Sequence, residues 1–202
     1  MAFSATDVMA EMERRKREDP VYRAELERVE AARTTLAEQR RMACQPVLDD
    51  LRSVGVEVDD LYRLYVQPES YPVAIPVLLD HLQRDYPERV REDIGNALPR
   101  RPATTWWDAF KRIYVNTQSD AVRDRLAAAM TGCAVRKHYD DLLAFVYDEH
   151  LGASRIYFLR PINRIGNRMD AGRGRAAIQG VAEDPVLGKE AAAILKGLSR
   201  NQ

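Results

Sequence analysis

Val90-Arg91-Glu92-Asp93-Ile94-Gly95-Asn96-Ala97-Leu98 returns, with substitutions, as Val122-Arg123-Asp124-Arg125-Leu126-Ala127-Ala128-Ala129-Met130, and more faintly as Ser154-Arg155-Ile156-Tyr157-Phe158-Leu159-Arg160-Pro161-Ile162. The arginines fall at 91, 123 and 155, a constant step of 32 residues (123 − 91 and 155 − 123). A fixed period of this size marks a stacked array of similar supersecondary units. The same step aligns Ile75 with Trp107 and Tyr139, Leu78 with Phe110 and Leu142, and Leu82 with Tyr114 and Val146. Within a copy these bulky residues run i, i+3, i+7, the stripe of an amphipathic helix. The arginine segments carry a second stripe, Val90, Ile94, Ala97 and Leu98 in the first copy. Each copy therefore reads as helix, turn, helix. Neither helix can bury its apolar face alone, so successive copies must stack on one core. The expected fold class is all-α, without a sheet.

The chain has 202 residues, 46% of them hydrophobic and 31% charged, which suits one or two globular domains and argues against wholesale disorder. Lys+Arg and Asp+Glu both number 31, so the balanced total exerts no general pull on nucleic acid or acidic membranes, and such a role would need a local patch. Cys44 and Cys133 form no CxxC pair, which fits a reducing cytoplasm with free thiols. Met1 to Asp7 lacks a basic flank leading into an apolar stretch, so no signal peptide is expected. No window approaches the roughly 20 apolar residues of a membrane span.

Ahead of the repeats, residues 1–66 read as an N-terminal helical segment. A charged helix covers about 7–18. Asp19-Pro20 then opens a long helix over about 20–54, because Asp accepts orphan amides and Pro tolerates the first helical position. Tyr22, Leu26, Val29, Leu36, Ala43, Val47 and Leu51 recur at helical spacing until Gly55 closes the run. Arg33 and Arg40 fall on the same stripe, so its middle is expected to be half buried. A short helix follows at 59–66. The repeat domain occupies 71–198, with units at 71–100, 103–134, 138–166 and 170–198. Gly166, Gly172 and Gly174 read as a loose link into the last unit.

Tyr86-Pro87-Glu88-Arg89-Val90-Arg91 with Ala97-Leu98, and Asp120-Ala121-Val122-Arg123 with Ala129-Met130, resemble the HEAT repeat and its bacterial HEAT-like relatives over roughly 71–198. The resemblance implies about four helix pairs in a short right-handed α-solenoid. HEAT units also resemble one another in an acidic turn residue six positions before the arginine. Asp85 with Arg91 and Glu149 with Arg155 fit that spacing, whereas Thr117 stands in the acidic place before Arg123, and Gly188 replaces the fourth arginine. Asp85, Arg91, Arg123, Glu149 and Arg155 are thus expected to form a structural ladder. Such a fold implies binding and scaffolding and says little about any one activity.

The candidate binding residues lie late in the chain. Arg155, Arg160, Arg164, Arg168, Arg173 and Arg175 are opposed in the sequence only by Asp170. On a continuous helix Arg160, Arg164 and Arg168 share one face at i, i+4, i+8. With Arg125 and Tyr157 on the second helices, they make a docking patch for an acidic surface, set against the plainer reading of a solvated face. Trp107 shares a column with Ile75 and Tyr139 and reads as core. Trp106 shares one with Ala74 and His138 and is the candidate hot spot. Arg14-Arg15-Lys16-Arg17 is offset by Glu11, Glu13, Glu18 and Asp19. His81, His138 and His150 lack metal-ligand spacing, and no nucleophile elbow, Walker loop or dinucleotide fingerprint occurs.

No catalytic residue, metal or cofactor is therefore expected. The leading expectation is a non-enzymatic, cytoplasmic protein-interaction module (a scaffold, adaptor or immunity-type binding protein) that holds an acidic protein partner on a concave face of second helices. The long N-terminal helix would cap the stack or mediate self-association. The alternative is a HEAT-like DNA-binding protein or DNA glycosylase. Trp106, Trp107 and Asp108 supply suitable residue types for it, but adjacent positions on one helix cannot all face one channel, and the zero net charge counts against it.

Overall fold

The computed structural model describes residues 4–66, 72–98 and 103–199. Among them every regular element is helical and no strand occurs. No helix of the described residues is long and apolar enough to cross a membrane. The chain divides into two units, Met1–Ala43 and Cys44–Gln202.

The first unit holds α1 (Ala5–Glu18) and the first part of α2 (Pro20–Ser53). Ser4 opens α1 through a reciprocal cap. Its Oγ accepts the Asp7 N–H at 3.2 Å, while the Asp7 carboxylate accepts the Ser4 N–H at 3.0 Å. Asp19 Oδ1 accepts the amides of Val21 and Tyr22, both at 3.0 Å, and so starts α2 with Pro20 at its first position. Arg23 folds back onto the end of α1, donating to the carbonyls of Lys16 and Arg17, and the Arg15 guanidinium lies 4.9 Å from the Tyr22 ring centroid. Burial stops there. Tyr22 and Leu26 are half-buried, but every residue from 27 to 42 is exposed, with Leu36 at 66% and Met42 at 76%. The half-buried middle expected of the long helix is therefore not found. Its stripe leaves the end of α1 behind after two turns.

The second unit begins inside α2, where Cys44, Val47, Leu48 and Leu51 are buried. The division thus falls ahead of 44 rather than between 66 and 71, because these four side chains belong to the larger core. Gly55, at φ 84°, takes the chain out of the helix. The short α3 (Leu61–Val66) packs on α5 (Glu88–Ala97), which follows α4 (Ala74–Leu82). His81 of α4 is fully buried, with Nε2 at 2.9 Å from Asp50 of α2 and Nδ1 at 2.8 Å from the Tyr86 hydroxyl.

Next come a 3-10 turn (Thr104–Trp106), α6 (Trp107–Asn116), α7 (Asp120–Cys133), a second 3-10 turn (Arg136–His138) and α8 (Tyr139–Tyr147). A 3-10 segment (Glu149–Phe158) runs into α9 (Leu159–Met169), followed by α10 (Arg173–Gln179) and α11 (Gly188–Ser199). The three aligned columns, from Ile75 to Val146, are all core, none more than 4% exposed. The second elements also pack in order, α5 on α7 and α7 on the 3-10 segment.

The third copy departs from the first two. Gly152, at φ 61° and ψ −142°, interrupts the helix, and the stretch to Phe158 winds as 3-10. Phe158 enters an aromatic cluster with Tyr114 and Phe145, and the Tyr114 hydroxyl meets Ser154 Oγ at 2.8 Å. Burial pushes the Tyr114 phenol up to about 12. Cys44 and Cys133 are both buried and form no disulfide, and burial pushes the Cys133 thiol up.

Candidate interaction surface

The late basic run folds as a helix with two unlike faces. In α9, Leu159, Ile162 and Ile165 recur every third residue and are buried, which leaves Arg160, Arg164 and Arg168 exposed on the opposite side. Pro161 sits in the first turn, where its missing N–H removes no intrahelical bond. The far end of α9 is fixed by α10. A Cβ on Gly174 would lie 2.2 Å from the Asn163 carbonyl oxygen, so the two backbones touch. Asn167 Oδ1 then accepts the amides of Gly174 and Arg175 at 3.0 and 3.3 Å. Gly166 and Gly174 are thus contact points rather than parts of a loose link, and only Gly172, at φ 84°, makes the turn.

Two grooves flank this face. One, of about 620 Å³, runs between Thr131 and Gly132 of α7, Arg160 and Arg164 of α9, and Ala193 and Ile194 of α11. The other, of about 470 Å³, lies between Val135 and Arg136 on one side and Arg164, Arg168 and Met169 on the other. Arg164 lines both and forms the ridge between them.

Three other arginines of the run are engaged elsewhere. Arg160 pairs with Glu190 of α11 at 2.8 Å, so Asp170 is not the sole counter-charge. Arg173 turns away, 4.7 Å from the Tyr139 ring centroid and 3.8 Å from Asp140. Arg155 is core. Arg136, exposed and remote in sequence, joins Arg164 and Arg168 at the second groove. The basic run alone could not show this, because the chain's return to α9 is what brings residue 136 there.

Two expected binding residues are placed otherwise. Arg125 is half-buried against α5, where a Cβ on Gly95 would meet its own Cβ at 2.7 Å. Its Nε is buried without a partner, and its Cβ packs against Gly95 of α5. Tyr157 is exposed but stands on the 3-10 segment, where its carbonyl accepts the Thr131 hydroxyl at 3.2 Å. Trp106 is half-buried at the start of α6, in a column whose other members, Ala74 and His138, are buried.

Of the expected ladder, Arg123 and Arg155 are buried and hydrogen-bonded, neither of them to a side chain six positions back. Arg123 donates to Asp120 and to the carbonyl oxygen of Thr117, so the backbone accepts six residues back, where the side chain lacks an acid. Arg155 donates to the carbonyls of Val146 and Gly152 and forms a forked pair with Asp184 at 2.9 and 3.4 Å. Glu149 is exposed and makes no bond to Arg155, which turns to Asp184 instead. No bond between Asp85 and Arg91 occurs among the described residues, and Arg91 Nε is buried without a partner.

A polar cluster not legible from spacing lies between α6 and α8. The Trp107 indole stacks on His138 with centroids 4.0 Å apart and planes 6° from parallel. Its Nε1–H donates to Asp141 at 2.7 Å, and Lys111 donates to the same carboxylate. Burial pulls the Asp141 carboxyl upward, but these two donors outweigh it and leave it below the usual range. Burial, helped by Lys137, lowers His138. Every strong acceptor in the cluster is satisfied from within, so its chemistry is that of a polar clamp between helices. Trp107 is thereby withdrawn from any channel, while Asp108 beside it is exposed. No group of His, Cys, Asp and Glu among the described residues has the arrangement of a metal site. The chain matches no protein-family model, no curated protein and no solved structure.

Proposed function

We propose that the second unit is a non-enzymatic interaction module, a short HEAT-like stack of helix pairs that holds an acidic segment of a protein partner along the two grooves flanking Arg164. The observation that carries this reading is the ridge itself. Arg164 separates two grooves, and Arg136 and Arg168 add positive charge to one of them. Guanidinium forks suit carboxylates, and such a field steers an acidic chain more than it fixes affinity. The 32-residue period and its buried columns support the stacked architecture. The buried cysteines, outside any disulfide, suit a cytoplasmic setting. The DNA-directed alternative has less support, because Trp106, Trp107 and Asp108 do not gather on one surface.

A fluorescein-labelled glutamate-rich peptide, followed by anisotropy, tests the proposal. It binds, and binding weakens as salt rises. Arg164→Glu with Arg168→Glu weakens it at least about tenfold by removing attraction and adding repulsion. Arg14→Glu with Arg15→Glu leaves it within about twofold, since Arg14 is already paired with Glu11 at 2.9 Å. Unchanged affinity in the α9 double variant, or tighter binding of a DNA duplex through the same arginines, overturns the reading.

A further inference from the structure

Tyr22, Leu26, Val29, Arg33, Leu36 and Arg40 follow alternate steps of four and three along α2, the seam of a coiled coil. The stretch from 27 to 42 is exposed on every side. A helix with only local contacts is marginal in water, and its stability comes from covering an apolar face. Charge along this stretch is polarised. Glu25, Glu27 and Glu30 outnumber Arg28 early, whereas Arg33, Arg40 and Arg41 outnumber Glu38 late.

We infer that α2 pairs with α2 of a second copy, antiparallel, making the chain a homodimer through its first unit. The seam arginines decide the direction. A parallel pair would set Arg33 against Arg33 and Arg40 against Arg40, and like charges opposed in an interface are costly. Antiparallel pairing sets the acidic early half of each helix against the basic late half of the other. In the register that matches Leu36 to Leu26, Arg33 comes opposite Val29 beside Glu30, and Arg40 comes opposite Tyr22 close to Glu25. A receiving site for Leu36 is present. Met12 of α1 with Tyr22, Leu26 and Val29 of α2 lines a groove of about 210 Å³ with a charged rim. The inference rests on the first unit alone and is independent of the acidic-partner reading.

Sedimentation equilibrium of the full chain tests it first. The expected mass is about twice 23.0 kDa, and Leu36→Glu yields the monomer while the thermal transition of the second unit stays in place. Leu36→Ala, which adds no charge, weakens the dimer at least about tenfold. Orientation is tested by mild oxidation. Mixed Leu26→Cys and Leu36→Cys chains cross-link to each other, while neither variant cross-links to itself beyond the wild-type background. A monomeric wild type at tens of micromolar, a dimer untouched by Leu36→Glu, or self-cross-linking of the Leu26→Cys chain alone overturns the inference.

Discussion

Arg155 is 3% exposed and Asp184 is 15% exposed, so their forked bond is made largely out of water. Such a pair adds modest net stability, but removing one member strands the other. Asp184→Ala leaves the guanidinium with carbonyl acceptors alone and is expected to cost about 3–5 kcal/mol in urea denaturation at pH 7. The sign of the pH dependence follows from the carboxyl. Burial would raise it, but the Leu187 and Val186 amides and Arg155 outweigh burial and lower it below its ordinary value. A depressed carboxyl contributes fully above the unfolded value of about 3.9 and loses that contribution as pH falls through the folded value. The difference between wild type and Asp184→Ala therefore narrows from pH 7 to pH 3, and a constant difference would refute the assignment. The sequence marked Arg155 as structural through its period, yet offered Glu149 as the partner. The actual partner lies 29 residues further on, in the loop before α11, beyond the reach of a spacing rule within one repeat.

Helices were the most legible elements, since periodic apolar stripes and Pro or Asp starts are local signals. Their contacts were less so. Gly166 and Gly174 read as looseness because glycine is a poor helix former, yet here the missing Cβ is what lets α9 and α10 touch. Gly174→Ala places a carbon 2.2 Å from the Asn163 carbonyl oxygen and is expected to destabilise by about 1–3 kcal/mol or more. Gly197→Ala in α11 meets nothing within 4 Å and is expected to stabilise by about 0.4–1 kcal/mol. A fall in melting temperature for Gly174→Ala with a rise for Gly197→Ala would bear out the pair, and a rise in both would show that helix propensity alone governs them. The basic face of α9 was visible from its i, i+4, i+8 arginines. Its sharing with Arg136 and the neutralisation of Arg160 by Glu190 depend on folding across distant sequence.

At the scale of the whole molecule, the period gave the helical class and the core columns of the larger unit, because repetition reports burial wherever one face recurs. It could not place the division at Ala43–Cys44, since the stripe of α2 runs through that point without a change in pattern. The two buried thiols turn that division into a clock. Alkylation proceeds through the thiolate, so a buried, upward-shifted thiol reacts only in moments of opening. Cys133, 1% exposed with its thiol pushed up, waits for disruption of the larger core. Cys44, 8% exposed, stands at the first residue of that core, so loosening of α2 alone is expected to release it. Maleimide labelling resolved by peptide mass spectrometry should therefore show Cys44 modified well before Cys133, with added urea accelerating Cys133 more steeply. Equal rates and equal urea slopes would mean that α2 lets go only when everything does. Unequal ones would make this pair of ordinary cysteines a built-in readout of how far cooperativity extends along the chain.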